Sequence, residues 1–266
     1  SYFKIAGTAK GTTKIVNADL KLTSTLGNAG IRASVDMKQK NQERYNILAN
    51  LQNLQIGKII QNKELVSITG QIAVKGQSFD PNKAIADLKG SISSVGYKGY
   101  TYRNMDLKGK INRGSYVINL DSKDPNANLK LLASGNFAGE NPTVKINGTI
   151  QKLDLNKLGF YADPMILAGE IDGDFSSLNP DAPNGTLRLQ NFAISDTKEV
   201  YPLQEVFLKV VSTLDSNKIE LKSQIADIDL KGKYKLTQIF GSLQQTLNQY
   251  YQFQKPGSKI AKVDAN

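Results

Sequence analysis

Any chemistry performed by this chain of 266 residues must use hydroxyl, amine or carboxylate side chains, because it contains no Cys, no His and no Trp. Thiolate nucleophiles, imidazole bases, disulfides and Cys/His zinc sites are therefore excluded. Glu170 and Asp172 would project from one face of a strand about 7 Å apart, which is loosely compatible with glycoside hydrolysis. These two carboxylates belong to the polar, solvent-facing residues of the strand, and the chain has no Trp on which a sugar ring could stack. We therefore expect that the protein is not an enzyme.

Metal binding is a second chemistry that the carboxylates could support. The segments Asp121-Ser122-Lys123-Asp124-Pro125-Asn126 and Asp172-Gly173-Asp174 place carboxylate and amide oxygens close together, as calcium sites do. Neither has the spacing of an EF-hand or its terminal glutamate. Because Asp, Asn and Pro are also ordinary turn residues, we interpret both segments as structural and expect neither a metal nor a cofactor.

The net charge of +10 raises nucleic acid as a partner, but the distribution of charge does not favour it. Arg occurs only at positions 32, 44, 103, 113 and 188, and the lysines are scattered. Recognition of bases and phosphates favours Arg, and no nucleic-acid-binding motif accompanies the charge. We therefore expect no nucleic-acid partner.

Alternation of apolar and polar residues is the strongest structural signal in the sequence. From Val66 to Gly76 every second residue is apolar or glycine, which is typical of a strand with one face buried. The pattern recurs along the chain, and the letters Asp-Leu-Lys-Gly appear at 87–90, 106–109 and 229–232. Turn residues such as Asp80-Pro81-Asn82 separate the runs. The sequence thus predicts an all-β fold, an elongated, curved antiparallel sheet of hairpins.

The sequence also contains a longer repeat, since Gly70 recurs as Gly169 and Pro81 as Pro180, about 100 residues later. We expect one continuous repetitive sheet over 1–236, with internal repeats at about 31–130 and 131–234. One or two helical turns are expected at 54–60 and at 153–160. The spacing of Ile239, Phe240, Leu243 and Leu247 predicts an amphipathic helix over 237–253, which would cap the sheet before a flexible tail at 254–266.

Glycines fall repeatedly on the apolar face, where a strand usually carries a large side chain. They could let backbones approach closely, as in a barrel or a tight sandwich. They could instead keep an apolar trough open for hydrocarbon, and burying an acyl chain of about sixteen carbons would gain on the order of 12 kcal/mol. The pattern leaves both interpretations open.

Three segments carry a resemblance to a known family. They are the Gly- and Tyr-rich run from Gly96 to Ile111, the turn Leu153-Asp154-Leu155-Asn156-Lys157-Leu158-Gly159, and the closing Gly232-Lys233-Tyr234-Lys235-Leu236. In these segments the chain resembles the TamB and AsmA-like family, and more narrowly the TamB-like proteins of Bacteroidetes-type bacteria. The resemblance covers nearly the whole chain, although each motif is short.

Membership of that family would imply a long β-groove, or β-taco, and a periplasmic location within a larger envelope-spanning protein of a Gram-negative cell. The groove would shield phospholipid acyl chains during inner-to-outer membrane transport or outer-membrane assembly. The whole protein would have an inner-membrane anchor and an outer-membrane barrel partner. We therefore expect this chain to be an internal section of such a conduit. The family supplies no catalytic residues, because its functional surface is the apolar inner wall.

On this sequence the resemblance places the lipid-lining wall on apolar positions of matching parity, namely Ile68, Ile72, Leu107, Ile111, Tyr116, Ile118, Leu120, Ile146, Ile150, Leu167, Ile171, Phe175, Leu187, Leu189, Ile219 and Leu221. We call these the predicted lining residues. The alternative is that they form the self-filled core of a non-enzymatic β scaffold or of a surface or adhesion module.

Overall fold

The computed structural model of the protein describes residues 2–138, 141–179, 182–196, 198–224 and 226–233. The first strands are β1 (Phe3–Gly11), β2 (Ile15–Ser24), β3 (Gly27–Asp36) and β4 (Arg44–Leu54), followed by the short helix α1 (Ile56–Ile60). Then come β5 (Leu65–Gln77), β6 (Ile85–Tyr97), β7 (Tyr100–Asn112), β8 (Ser115–Lys123), β9 (Ala127–Asn136) and β10 (Thr143–Asp154). The last are β11 (Ile166–Ser177), β12 (Asn184–Ser195), β13 (Val200–Ser212), β14 (Asn217–Ser223) and β15 (Asp227–Gly232).

All the strands belong to one 15-stranded sheet in which each strand pairs with its neighbours in the chain. Every pairing is antiparallel. Within the described ranges β1 and β15 do not pair with each other, so the sheet is open. The prediction of an all-β, antiparallel fold is confirmed.

Residue alternation gives the sheet two chemically different faces, as β7 illustrates. Met105, Leu107 and Ile111 are half-buried, whereas the intervening Asp106 and Lys108 are exposed. Because successive side chains of a strand point to opposite sides, the apolar residues form one face, which we call the apolar face. The other side of the sheet is the polar face.

Tight turns hold successive strands in register. Lys98 and Gly99 join β6 to β7, and Arg113 and Gly114 join β7 to β8, all four with positive φ. Two such residues in a two-residue loop give the turn that matches the twist of a hairpin. Since the chain runs up and down, connections that follow even-numbered strands lie at one end of the sheet. We call this the α1 end, because α1 lies between β4 and β5 there.

An α-helix is present at only one of the two places where helical turns are expected, and the other contains a hydrogen-bonded turn. α1 covers most of 54–60, and its Ile56 packs on a small buried cluster of Ala29, Leu51 and Leu54. The equivalent segment after β10 forms turns at 155–159 and no α-helix. None of the helices in the described ranges is long and apolar enough to span a membrane. The helix predicted at 237–253 and the tail at 254–266 lie outside the described residues.

Candidate functional site

The apolar face runs without interruption from one edge of the sheet to the other. Following directly opposed partners through all fifteen strands gives a row without a single polar residue: Ala9, Ala18, Ala33, Ile47, Val74, Leu88, Gly109, Ile118, Ala133, Ile146, Gly173, Leu187, Leu208, Leu221 and Ile228. We call it the Ile118 row. Strand-by-strand pairing therefore builds a continuous apolar surface from separate amphipathic hairpins.

A second row runs beside the Ile118 row, displaced from it by two residues on each strand, and it also crosses the whole sheet. This Tyr116 row has the hydroxyls of two tyrosines as its only polar side-chain groups: Gly11, Val16, Val35, Tyr45, Gly76, Ala86, Ile111, Tyr116, Gly135, Val144, Phe175, Gly185, Val210, Ile219 and Leu230. On the other side of the Ile118 row, a third row passes through Ile72, Leu107, Leu120, Ile171 and Leu189. No charged residue occurs in any of the three.

The predicted lining residues all lie on this face. Most belong to the three rows, and Ile150, Ile68 and Leu167 continue the face toward the α1 end. Each of them is half-buried. A second layer packed over the face would bury such side chains completely. Their partial exposure is what neighbours within a single layer produce, so no described element covers this face fully.

The size of the apolar face exceeds what a soluble monomer ordinarily exposes. Fifteen strands extend about 67 Å across the sheet, and three rows about 14 Å along the strands, so the area is on the order of 900 Å². The largest apolar patch of a typical monomer is about 300–600 Å². An apolar surface of this extent is typical of a binding surface.

Several glycines of the apolar face are covered by the side chain of a neighbouring strand. The Tyr116 ring on β8 extends over Gly135 on β9, and its hydroxyl donates a hydrogen bond of 3.2 Å to the Thr143 carbonyl on β10. The Tyr45 hydroxyl likewise lies 2.6 Å from where a Cβ on Gly76 would be. At these positions glycine makes room for a tyrosine side chain of the neighbouring strand.

Two other glycines leave space on the same face. A Cβ on Gly90 or Gly109 would meet only ordinary contacts, the nearest at 3.6 Å and 3.5 Å. Both lie on the adjacent strands β6 and β7, with Leu88 and Leu107 beside them. At these two positions an added methyl group would fit without displacing a neighbour.

The polar face carries a hollow of about 1000 Å³ that the sequence does not predict. Its walls include Lys89, Lys108, Asp106, Asp121 and Lys130. Of the predicted lining residues it includes only Leu107 and Leu120. This hollow is therefore distinct from the predicted groove, which concerns the opposite face.

Lys89 and Lys108 are directly opposed on β6 and β7, and neither forms an ion pair among the described residues. Like charges in directly opposed positions destabilise a sheet. We expect Lys89→Glu to raise the free energy of unfolding by about 0.5 kcal/mol through a new pair with Lys108. The measurement is the urea midpoint. Lys110→Glu is the matched control, because Lys110 lies opposite Asp87 at 3.8 Å and the change should lower the midpoint.

Asp124 shows what the calcium-like segment does in the fold. Its side chain is fully buried at 0 % exposure, and its carboxylate accepts hydrogen bonds from the Tyr100 hydroxyl and from the backbone N–H groups of Arg103, Asn126 and Ala127. Burial and, next, the hydrogen bond to Asp124 raise the pKa of Tyr100 above its ordinary value. In the described part of the chain no group of three or more acidic residues could hold a metal. Its hydrogen bonds give Asp124 a structural role in the connection between β8 and β9.

We expect Asp124→Asn to lower the free energy of unfolding by about 2 kcal/mol, because an amide nitrogen would face backbone donors in a buried site. Asp121→Asn, in the same segment but pairing with Lys130 at the surface, should cost far less. The measurement is thermal unfolding with and without calcium. A calcium-dependent rise in the melting temperature that Asp124→Asn abolishes would contradict the structural role.

Glu170 and Asp172 lie on the polar face, as predicted, and both are exposed. They are directly opposed to Thr149 and Asn147 of β10. A general acid of a glycosidase is held in a partly buried site beside its substrate, and neither carboxylate lies in such a site. Their position gives no support to a glycosidase site.

Comparison with known proteins yields no relative: no family model, curated protein or solved structure matches the chain at a significant level. The resemblance to the TamB and AsmA-like family thus stays a prediction. The functional interpretation rests on the geometry of the apolar face.

Proposed function

We propose that this chain is a segment of a lipid conduit, whose apolar face shields the acyl chains of phospholipids. The observation that carries the proposal is the Ile118 row, which crosses all fifteen strands without a polar residue on a face that no described element covers fully. A protein partner would need matching shape over this face. Hydrocarbon needs only an apolar surface.

The energetics favour an acyl chain as the occupant. Each buried methylene contributes about 0.8 kcal/mol, and the face offers contact along the whole width of the sheet. No charged side chain interrupts the three rows, so a chain could shift along them without crossing a desolvation barrier. Polar headgroups would stay in water beyond the rim of the face.

We also propose that the sheet curves around this face into a groove, which the sequence resemblance alone supports, and that it arose from two repeats. The strand bounds support a duplication. β4 to β6 occupy 44–97, and β10 to β12 occupy 143–195, in the same order and with similar lengths. The periplasmic location, the membrane anchor and the barrel partner are supported by the sequence resemblance alone.

The alternative function is an architectural β scaffold that fills its own apolar face. The tyrosines over Gly76 and Gly135 favour it, because they show side chains of this chain closing gaps on the face. The space at Gly90 and Gly109 and the half-burial of the predicted lining residues favour the conduit.

A photo-crosslinking amino acid at Ile118, compared with one at Val117, separates the two functions. The residues are neighbours on β8 but point to opposite faces, and Val117 lies opposite Lys110. After expression in a Gram-negative cell, a conduit should give lipid adducts at position 118 and few at 117, and extraction of the purified chain should release phospholipid. Equal labelling at both positions, or no lipid at either, would support the scaffold.

A further inference from the structure

Several cations of the polar face have an acidic partner on the neighbouring strand. Lys145 of β10, for example, forms an ion pair of 2.7 Å with the directly opposed Asp174 of β11. Lys89 departs from this pattern, because the residue directly opposite to it is a second cation, Lys108. Neither of these two lysines forms an ion pair among the described residues, so their charges are left without a carboxylate to balance them.

A second pair of directly opposed lysines allows a comparison. Lys218 of β14 lies opposite Lys231 of β15, and across the described strands this is the only other place where two cations are directly opposed. There the carboxylates of Asp229 and Glu220 lie 3.1 Å and 3.4 Å from the Lys218 ammonium group. The chain therefore supplies its own negative charge at this pair, which it does not do at the pair on β6 and β7.

Lys89 and Lys108 both line the hollow of about 1000 Å³ on the polar face. Three lysines and two aspartates line this hollow, an excess of one positive charge. Lys130 is balanced by Asp121 at 3.5 Å, and Asp106 lies two residues from Lys108 along β7, or about 7 Å away. Because a concave site with an excess of positive charge concentrates anions, the two unbalanced lysines attract an anion into the hollow.

We propose that this hollow binds a small phosphate ester, with its phosphate group between the ammonium groups of Lys89 and Lys108. Lysine binds phosphate as a point charge, and a phosphate monoester carries close to two negative charges at pH 7, which balances two lysines. The side-chain amide of Asn119, directly opposite Lys108 in the same hollow, can donate a further hydrogen bond. The volume is that of a site for an organic ligand, which favours an ester over a bare phosphate ion. The site lies on the polar face and goes beyond the proposed function, which concerns the apolar face.

Titration calorimetry of the full chain at low ionic strength tests the site. Glycerol 3-phosphate represents a soluble ester and dihexanoyl phosphatidic acid a lipid headgroup, and the tighter of the two identifies the source of the phosphate. Lys108→Gln should weaken binding at least about 10-fold, because a charge-assisted hydrogen bond is lost. Lys110→Gln is the matched control, since it removes the same charge from the same face of β7, outside the hollow and opposite Asp87.

Three results of this titration would overturn the proposal. The first is that neither ester binds. The second is that Lys108→Gln and Lys110→Gln weaken binding equally, because the attraction would then come from the net charge of +10 alone. The third is that inorganic phosphate binds as tightly as the esters, because the remainder of the hollow would then contribute nothing.

Lys89→Glu separates loss of binding from loss of folding. Its carboxylate would supply the negative charge beside Lys108 that the ligand otherwise provides. We therefore expect this variant to lose the binding of glycerol 3-phosphate while its urea midpoint rises. Glycerol 3-phosphate should raise the urea midpoint of the unchanged protein and leave that of Lys89→Glu where it is. An unchanged affinity in Lys89→Glu would overturn the proposal.

Discussion

Ile118→Asp should abolish the recovery of phospholipid with the purified chain. The residue lies in the middle of the Ile118 row, with Gly109 and Ala133 directly opposite on the two neighbouring strands. A carboxylate placed against hydrocarbon costs about 3 kcal/mol, which corresponds to a loss of about a hundredfold in acyl-chain affinity. The measurement is lipid content per mole of protein, by extraction and mass spectrometry.

Val117→Asp is the matched control for this experiment. It introduces the same charge into the same strand, one residue away, on the polar face between Lys110 and Ser134. We expect it to keep both the fold and the bound lipid, and circular dichroism checks that both variants retain the sheet. Equal lipid content in the two folded variants would refute the apolar face as the binding surface.

Gly135→Ala should be strongly destabilising, because the added methyl group would overlap atoms of two neighbouring strands. Its Cβ would meet the Thr143 carbonyl oxygen and would stand 2.9 Å from the Tyr116 hydroxyl. The Thr143 backbone and the ring of Tyr116 would both have to shift, which would disturb the hydrogen bond between them and the stacking of Tyr116 on Phe137 at 6.3 Å. We expect a loss of about 3 kcal/mol in the free energy of unfolding, measured by urea denaturation.

Gly109→Ala provides the comparison, because its nearest neighbour would be Leu88 at 3.5 Å, an ordinary contact. Alanine in this strand should be neutral or stabilising by up to about 1 kcal/mol, since it lowers the entropy of the unfolded chain. Tyr116→Phe should cost about 1 kcal/mol, the value of one hydrogen bond. If Gly135→Ala and Gly109→Ala changed the free energy of unfolding by similar amounts, this would contradict the proposal that Gly135 makes room for the Tyr116 ring.

The two faces of the sheet could be predicted because alternation needs only the sequence within one strand. From Ile68 to Gly76 the apolar residues of the run lie on one side in the structure, whereas Val66, beside a register shift, is exposed. The turn residues Asp80 and Pro81 lie between β5 and β6, as expected. The same local reasoning placed the predicted lining residues on a common face. Their role in lipid binding stays a prediction.

Features that depend on register could not be predicted. Tyr116 and Gly135 meet only because β8 and β9 pair in one register, which a single sequence does not specify. Bulges at Asn53 and Asn191, both with positive φ, shift the pairing of β4 and β12 without a recognisable signal. In the sequence Asp124 is typical of an ordinary turn residue. In the structure it is completely buried, and both the Tyr100 hydroxyl and the Arg103 backbone N–H of β7 donate hydrogen bonds to its carboxylate.

Pairing of each strand only with its neighbours in the chain has a mechanical consequence. Every added hairpin needs nothing but a free edge, so such a sheet can lengthen during evolution without redesign of what is already there. Under force applied at its two termini, the sheet should unfold one strand at a time, starting from its two edges. It should refold readily, because each strand pairs only with strands that are close to it in the sequence.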